Sequence, residues 1–355
     1  MIADKKILTT GNEAIAEAAI QAGCRFYAGY PITPQNEICA YMAARMPEVG
    51  GTFIQSESEI AAINMVFGAL VTGARAMTSS SSPGISLKQE GISYLAACQL
   101  PAVIVNVMRG GPGLGDIKPA QSDYFQATKG GGHGDYHLIV LAPATVQEAY
   151  NLTYEAFDIA AKYRNPVMIL GDGILGQMME PLIIKQMNPE EVNKRPELDY
   201  ILNGCKGREP RVIRSLFLGE GELEEWNAKL QDKYRNLEIE LNRAEEINVN
   251  DAELILIAYG STFRICKAVM TQARRRGLRV GLIRPITLWP FPYATIKNIS
   301  DRKRKILVVE MSSGQMVEDV RLAVAGEAKV YFTGRTGGGI PEEDKILDKI
   351  EEILK

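Results

Sequence analysis

The run Pro101 to Met108 (P-A-V-I-V-N-V-M) limits the folds open to this chain. A strand that is apolar along nearly its whole length is buried on both faces. Parallel sheets covered by helices bury strands in that way. Upstream, Thr52 to Gln55 reads as a strand end, and a helix follows with Ile60, Ala61, Ala62, Ile63, Met65, Val66, Phe67, Ala69 and Leu70. Apolar residues on nearly every side predict a buried helix. Arg75 to Ser80 then predicts a further strand, running into a Ser-Pro-Gly loop at 82–84.

Two acids, Glu57 and Glu59, open that helix. Spaced two apart, they point to different sides. One reading is capping, with Ser56 as N-cap and Glu59 reaching back to it. The other is an acid in an apolar pocket, placed to exchange a proton.

Elsewhere strands and helices alternate, which is the α/β pattern. Gly11 to Gly23 predicts a helix and Cys24 to Gly29 a strand; Tyr30-Pro31-Ile32-Thr33-Pro34 is a loop, and Gln35 to Met46 a helix. Past Arg109 come Gly110-Gly111-Pro112-Gly113 and a second glycine-rich loop, Lys129 to Asp135. Strands are expected at 138–141 and 166–170, with a helix at 144–162 between them. Thr33, the serine run Ser79 to Ser82 and Arg109 each fall at a predicted strand end, where open α/β sheets bind ligands. From about 185 to 250 charges thicken and buried strand runs stop, so this stretch reads as a partly helical connection. A second α/β unit is predicted from 251, with strands at 254–259, 278–284, 305–310 and 329–332.

Length and composition narrow the function. The 355 residues suggest about two domains. A net charge of −3 gives no electrostatic case for nucleic acid or an anionic membrane. No apolar run reaches the ~20 residues of a membrane span, and the start lacks a signal-peptide plan, so a cytoplasmic protein is expected. The five cysteines form no C-x-x-C pair, and the two histidines leave little room for His-based triads. No G-x-G-x-x-G follows an N-terminal strand, against a Rossmann dehydrogenase.

Tyr30-Pro31-Ile32-Thr33-Pro34, Glu57-Ser58-Glu59-Ile60-Ala61-Ala62, Ser82-Pro83-Gly84, Arg109-Gly110-Gly111-Pro112-Gly113 and the segment 278–292 occur together in one order. In these the chain resembles the alpha subunit of the 2-oxoacid:ferredoxin oxidoreductases, multi-subunit thiamine diphosphate enzymes. The likeness covers nearly the whole chain. Gly130 to Tyr136 brings it nearest to members acting on branched-chain 2-oxoacids such as 3-methyl-2-oxobutanoate; pyruvate and 2-oxoglutarate are the competing substrates. A non-catalytic assembly scaffold of the same fold is the rival from another class, and it would have no use for an acid at position 59.

The resemblance implies a pyrimidine-binding domain at 1–190, a connection at 191–250 and a transketolase C-terminal-like domain at 251–355. It implies that Glu59 meets N1′ of the cofactor's aminopyrimidine, and that context favours the proton-exchange reading over capping. Arg109 matches the group holding the substrate carboxylate, which suits a planar guanidinium; the competing reading is a structural pair with Asp116. Thr33 matches a substrate hydrogen-bonding hydroxyl. Tyr30, Pro31, Ser82, Pro83 and Gly84 fall at the cofactor, with Ser82 standing where many relatives have Gly. Gly171-Asp172-Gly173 imitates a diphosphate–magnesium motif, but the Asn expected downstream is missing and an ordinary turn is preferred. The resemblance therefore places the diphosphate, Mg2+ and [4Fe-4S] clusters on partner subunits. It implies beta, gamma and ferredoxin-like delta subunits, ferredoxin and coenzyme A as partners, and self-association within the assembly.

Overall fold

The structure, a computed structural model, describes residues 5–184, 198–300 and 304–355. In chain order the first half runs β1 (Lys5–Thr10), α1 (Gly11–Gln21), β2 (Phe26–Gly29), α2 (Asn36–Arg45), β3 (Thr52–Gln55), α3 (Glu59–Val71), β4 (Ala76–Ser80) and α4 (Ser82–Ala97). It continues with β5 (Val103–Gly110), β6 (Asp116–Pro119), α5 (Tyr124–Thr128), β7 (Ile139–Leu141), α6 (Val146–Tyr163), β8 (Val167–Asp172), α7 (Gly173–Gln177) and β9 (Met179–Ile184). The second half holds α8 (Glu222–Glu240), β10 (Ala244–Ile247), β11 (Leu254–Ile257), α9 (Gly260–Arg275), β12 (Val280–Pro285) and β13 (Thr287–Trp289). It ends with α10 (Tyr293–Ile299), β14 (Lys305–Glu310), α11 (Met316–Val324), β15 (Lys329–Gly334) and α12 (Glu343–Leu354).

The larger sheet has the order β13-β7-β8-β5-β4-β2-β3, with β6 beside β5. From β7 to β3 every pairing is parallel. Its central strands β4, β5 and β8 are buried along their whole length, as the apolar runs require. Each fully buried Val, Ile or Leu there contributes about 1.5–3 kcal/mol. The smaller sheet, β10-β12-β11-β14-β15, is parallel except at β10.

Three sequence expectations change. The helix at 59–71 is not buried all round: Ile60 is 50% exposed, and Asn64 and Gly68 are also exposed. The apolar count misled because one stripe of α3 meets no neighbour within the described chain. Ser82-Pro83-Gly84 is not a loop but the first turn of α4. Proline suits that turn, where its missing N–H would have no helical partner. Residues 244–247, expected in the connection, form β10 of the smaller sheet, and β13 joins the larger sheet antiparallel to β7.

β2, β4 and β5 lie side by side and end at the same edge. The loop carrying Thr33 follows β2, Ser82 follows β4, and Arg109 is the penultimate residue of β5. The predicted crevice is thus supplied by three neighbouring strand ends.

Candidate active site

Glu59 is the first residue of α3, and Ser58, not Ser56, is the N-cap. The Ser58 hydroxyl accepts from the Ala61 N–H at 3.2 Å, while Ser56 donates to the Gly29 carbonyl at 3.1 Å. The capping box expected between Ser56 and Glu59 does not form. The Glu59 side chain is left without a capping duty, yet it is only 6% exposed. No described residue hydrogen-bonds its carboxylate. Glu57 faces solvent.

The first turn of α4 lies directly against this carboxylate. A Cβ on Gly84 would sit 2.5 Å from Oε1 of Glu59, so only glycine permits the approach. The hydroxyls of Ser80 and Ser81 are buried beside this turn and have no partner among the described residues.

One turn along α4, Lys88 is fully buried. Its ammonium donates to the Thr78 hydroxyl at 2.7 Å and lies 3.5 Å from the Ser79 carbonyl. Burial lowers its pKa to about 8, with Glu59 and Cys39 opposing the shift. Sequence reasoning missed this residue, because a lone lysine on a helix ordinarily reads as solvated surface. The signal available was its i,i+4 spacing from Gly84.

Arg109 is 5% exposed. Its guanidinium donates to the carbonyls of Thr33 at 3.1 Å and Leu114 at 2.8 Å, and its Nε has no partner among the described residues. The alternative pairing with Asp116 is absent; Asp116 lies 3.7 Å from Lys118 instead. No described carboxylate stands within ion-pair distance of Arg109, so a buried cation is held by neutral oxygens alone.

The Ser82 hydroxyl is occupied inside the protein. It donates to Asp123 at 2.6 Å and accepts from the Arg109 N–H at 3.0 Å. Asn106 also donates to Asp123, at 2.9 Å. Burial pushes the Asp123 carboxyl up, and these two hydrogen bonds oppose it. The Ser82–Gly84 turn therefore joins the two halves of the site: Ser82 holds Arg109, and Gly84 covers Glu59. Thr33 is half-buried and its hydroxyl accepts from Asn36 at 3.2 Å; Pro83 is also half-buried, and Tyr30 and Pro31 are exposed.

The Asp172 carboxylate belongs to a turn, as preferred from sequence. It caps α7 through the N–H groups of Ile174 and Leu175 and accepts from the Ser261 hydroxyl at 2.7 Å, tying β8 to α9. Among the described residues no group of three or more His, Cys, Asp or Glu could hold a metal ion. No described helix is long and apolar enough to cross a membrane.

Residues 17–227 match the family described as pyruvate flavodoxin/ferredoxin oxidoreductase, thiamine diphosphate-binding, and residues 252–346 match pyruvate:ferredoxin oxidoreductase core domain II. The chain belongs to this oxidoreductase family. It is 50% identical to the ketoisovalerate oxidoreductase subunit VorB of Methanothermobacter thermautotrophicus, over 98% of this chain and 97% of the relative. Its identity to the 2-oxoglutarate synthase subunit KorA of the same organism is 39%, covering 96% of each.

A solved 2-oxoglutarate:ferredoxin oxidoreductase from Magnetococcus marinus, with 2-oxoglutarate, coenzyme A and succinyl-CoA bound, superposes with a TM-score of 0.86. It is 28% identical, and the match covers 99% of this chain but 65% of that longer one. A split-gene transketolase, an inactive beta4 tetramer, matches at a TM-score of 0.60 and 11% identity, over 97% of this chain and 96% of that one. That likeness concerns the fold alone. This chain thus has the α/β architecture of a thiamine diphosphate-binding fold followed by a second α/β unit, as the two family models and the solved oxidoreductase indicate.

Proposed function

We propose that this chain is the alpha-type subunit of a 2-oxoacid:ferredoxin oxidoreductase. In this reading the enzyme oxidatively decarboxylates a branched-chain 2-oxoacid, 3-methyl-2-oxobutanoate, to its acyl-CoA and carbon dioxide, with electrons passing to ferredoxin. The higher identity to a ketoisovalerate oxidoreductase subunit than to a 2-oxoglutarate synthase subunit supports the substrate class.

The observation that carries the reading is the Glu59 carboxyl, buried, without a hydrogen bond to any described residue and covered by a glycine. Such an acid fits the ring nitrogen N1′ of an aminopyrimidine, with which it can share or exchange a proton. The Ser80 and Ser81 hydroxyls, without a partner among the described residues, fit a polar group there. When bound, thiamine diphosphate supplies the electron sink that lets carbon dioxide leave a 2-oxoacid.

Arg109 takes the substrate carboxylate. Its cation has no acidic partner among the described residues and is already fixed by Thr33 and Leu114. The Thr33 hydroxyl is half-buried at the same strand edge and hydrogen-bonds substrate. Tyr30, Pro31 and Pro83 line the entrance to the pyrimidine pocket. Ser82 acts from behind by holding Arg109. Asp172 is engaged within the protein, which supports leaving the diphosphate and Mg2+ to a beta subunit that also carries [4Fe-4S] clusters. Gamma and ferredoxin-like delta subunits complete the assembly, in which this chain self-associates.

The test is turnover of the assembled complex on a panel of oxoacids, with Glu59→Gln beside the wild type. The expected result is highest kcat/KM on 3-methyl-2-oxobutanoate and a loss of at least ~10²-fold in Glu59→Gln. Preference for 2-oxoglutarate or pyruvate overturns the substrate. Wild-type turnover in Glu59→Gln overturns the role of Glu59 and favours the scaffold.

A further inference from the structure

Asp123 immediately precedes α5, where an aspartate ordinarily caps its helix by accepting from the N–H two or three residues on. Its side chain makes no such bond. The N–H of Phe125, two residues on, donates instead to Oε1 of Gln315 at 2.8 Å. Gln315 immediately precedes α11 in the second α/β unit. A residue of the other unit thus does the capping, and the Asp123 carboxylate turns to the ends of β4 and β5. Its Oδ2 accepts from the Ser82 hydroxyl at 2.6 Å and from the Asn106 amide at 2.9 Å. Local helix chemistry does not account for this aspartate.

The residues on either side of Asp123 are held by the second unit. The Gln121 N–H donates to the Met311 carbonyl at 2.8 Å, and its side-chain amide donates to the Tyr259 carbonyl at 2.8 Å. Its side-chain oxygen accepts from the Thr262 hydroxyl at 2.7 Å and from the Met311 N–H at 3.0 Å. The Ser122 carbonyl accepts from the Gln315 amide at 2.8 Å, and the Tyr124 hydroxyl donates to Asp319 at 2.6 Å. Asp123 therefore sits in a segment pinned from the second unit, with its carboxylate aimed into the first. Ser82, which it holds, accepts in turn from the Arg109 N–H at 3.0 Å. A carboxylate suits such a link, since hydrogen bonds to an ionised acceptor are roughly twice as strong as neutral ones.

We propose that Asp123 is a positioning residue for the substrate carboxylate: anchored by the second α/β unit, it holds Ser82, and through Ser82 the end of β5 that carries Arg109. This rests on the reading of Arg109 given above. The second unit supplies no residue of the proposed site, yet it reaches the site through this one side chain. With the link broken, the end of β5 is free to shift and the guanidinium loses its register with the carboxylate it receives. Binding of the oxoacid suffers, while the groups proposed to act on the cofactor stay in place.

The test is steady-state kinetics of the assembled complex on 3-methyl-2-oxobutanoate, with KM and kcat read separately. The variants are Asp123→Ala, Asp123→Asn, Gln315→Ala, Arg109→Ala and the double variant Asp123→Ala/Arg109→Ala. Asp123→Ala should raise KM roughly tenfold, the scale of one hydrogen bond to a charged group, with a smaller change in kcat. A merely structural role would lower the amount of active enzyme, and so the rate at saturation, without moving KM. Asp123→Asn keeps an oxygen that can accept from Ser82 and Asn106, so its KM should return to within about threefold of the wild type. Gln315→Ala, altered only in the second unit, should raise KM in the same direction. In the Arg109→Ala background Asp123→Ala should move KM no further. If Asp123→Ala fails to assemble, Ser82→Ala breaks the same link and carries the same expectation. An unchanged KM in Asp123→Ala, or an additive effect in the double variant, overturns the proposal while leaving Arg109 at the substrate. An unchanged KM in Gln315→Ala overturns the part given to the second unit. If Arg109→Ala itself leaves KM unchanged, the reading of Arg109 fails and the role of Asp123 falls with it.

Discussion

Nη1 of Arg109 donates to the carbonyl oxygen of Thr33 at 3.1 Å, tying the end of β5 to the loop after β2. Two segments 76 residues apart in sequence thereby share one hydrogen bond, and both enter the proposed substrate site. Lysine cannot reproduce this, because its ammonium has no planar fork. Arg109→Lys should raise KM for the oxoacid roughly tenfold, the scale of one charge-assisted hydrogen bond, with a smaller change in kcat. Steady-state kinetics on the complex decide it; an unchanged KM removes Arg109 from the substrate.

Gly84→Ala tests the contact between α4 and Glu59. The added methyl would lie 2.1 Å from Oγ of Ser80 and 2.5 Å from Oε1 of Glu59, too close for any real pair of atoms. The Ser80 hydroxyl and the Glu59 side chain can both rotate away, so the fold survives while the carboxyl leaves its place. Thiamine diphosphate affinity in the complex should fall at least about tenfold, with the thermal midpoint lowered by only a few degrees, since overpacking costs about 1–3 kcal/mol. Unchanged affinity would separate Gly84 from the cofactor site.

The parts of this protein legible in its sequence share a physical origin. The strand at 305–310 was readable to the residue, because continuous apolar runs announce buried parallel strands. Thr33, Ser82 and Arg109 could be grouped because strand ends collect at one sheet edge. What escaped depends on long-range contacts. Nothing local marks Lys88 as buried, since its counter-charge lies on another helix. Ser56 and Ser58 both offer a cap hydroxyl, and only the hydrogen bond of Ser56 to Gly29 decides between them. The exposed stripe of α3 looked like core because an apolar count does not say which face of a helix meets a neighbour.

The turn at Asp172 permits a prediction that separates structure from metal binding. Its carboxylate accepts from Ser261 and from two helical N–H groups. Asp172→Ala should destabilise the chain by about 1–3 kcal/mol, the cost of unsatisfied buried donors. The Mg2+ dependence of the assembled enzyme should not change. Denaturant midpoints and a Mg2+ titration of activity measure the two effects, and a raised Mg2+ requirement would place Asp172 at the metal.

If the cofactor site is shared, the isolated full-length chain should bind thiamine diphosphate far more weakly than the complex does. Calorimetry with Mg2+ present should give no saturable heat at concentrations that saturate the complex. Tight binding at one cofactor per chain would mean that this chain holds the diphosphate itself.

Lys88 also leaves a mark on stability, with a sign that follows from its surroundings. Its pKa lies at about 8 in the folded chain against 10.5 for an ordinary lysine, because burial penalises the charged form. Between these values the unfolded chain binds more protons than the folded one, so stability rises with pH. The penalty is fully present below about pH 8 and is relieved as pH approaches 10.5. At about 1.4 kcal/mol per pH unit this amounts to about 3 kcal/mol. Other groups titrate in the same window, so the informative quantity is the difference between wild type and Lys88→Met. Relative to Lys88→Met, the wild-type chain should gain stability steadily from about pH 8 to about pH 10.5 in urea titrations. A constant difference across that window would mean that the ammonium reaches water and is not held beside Thr78.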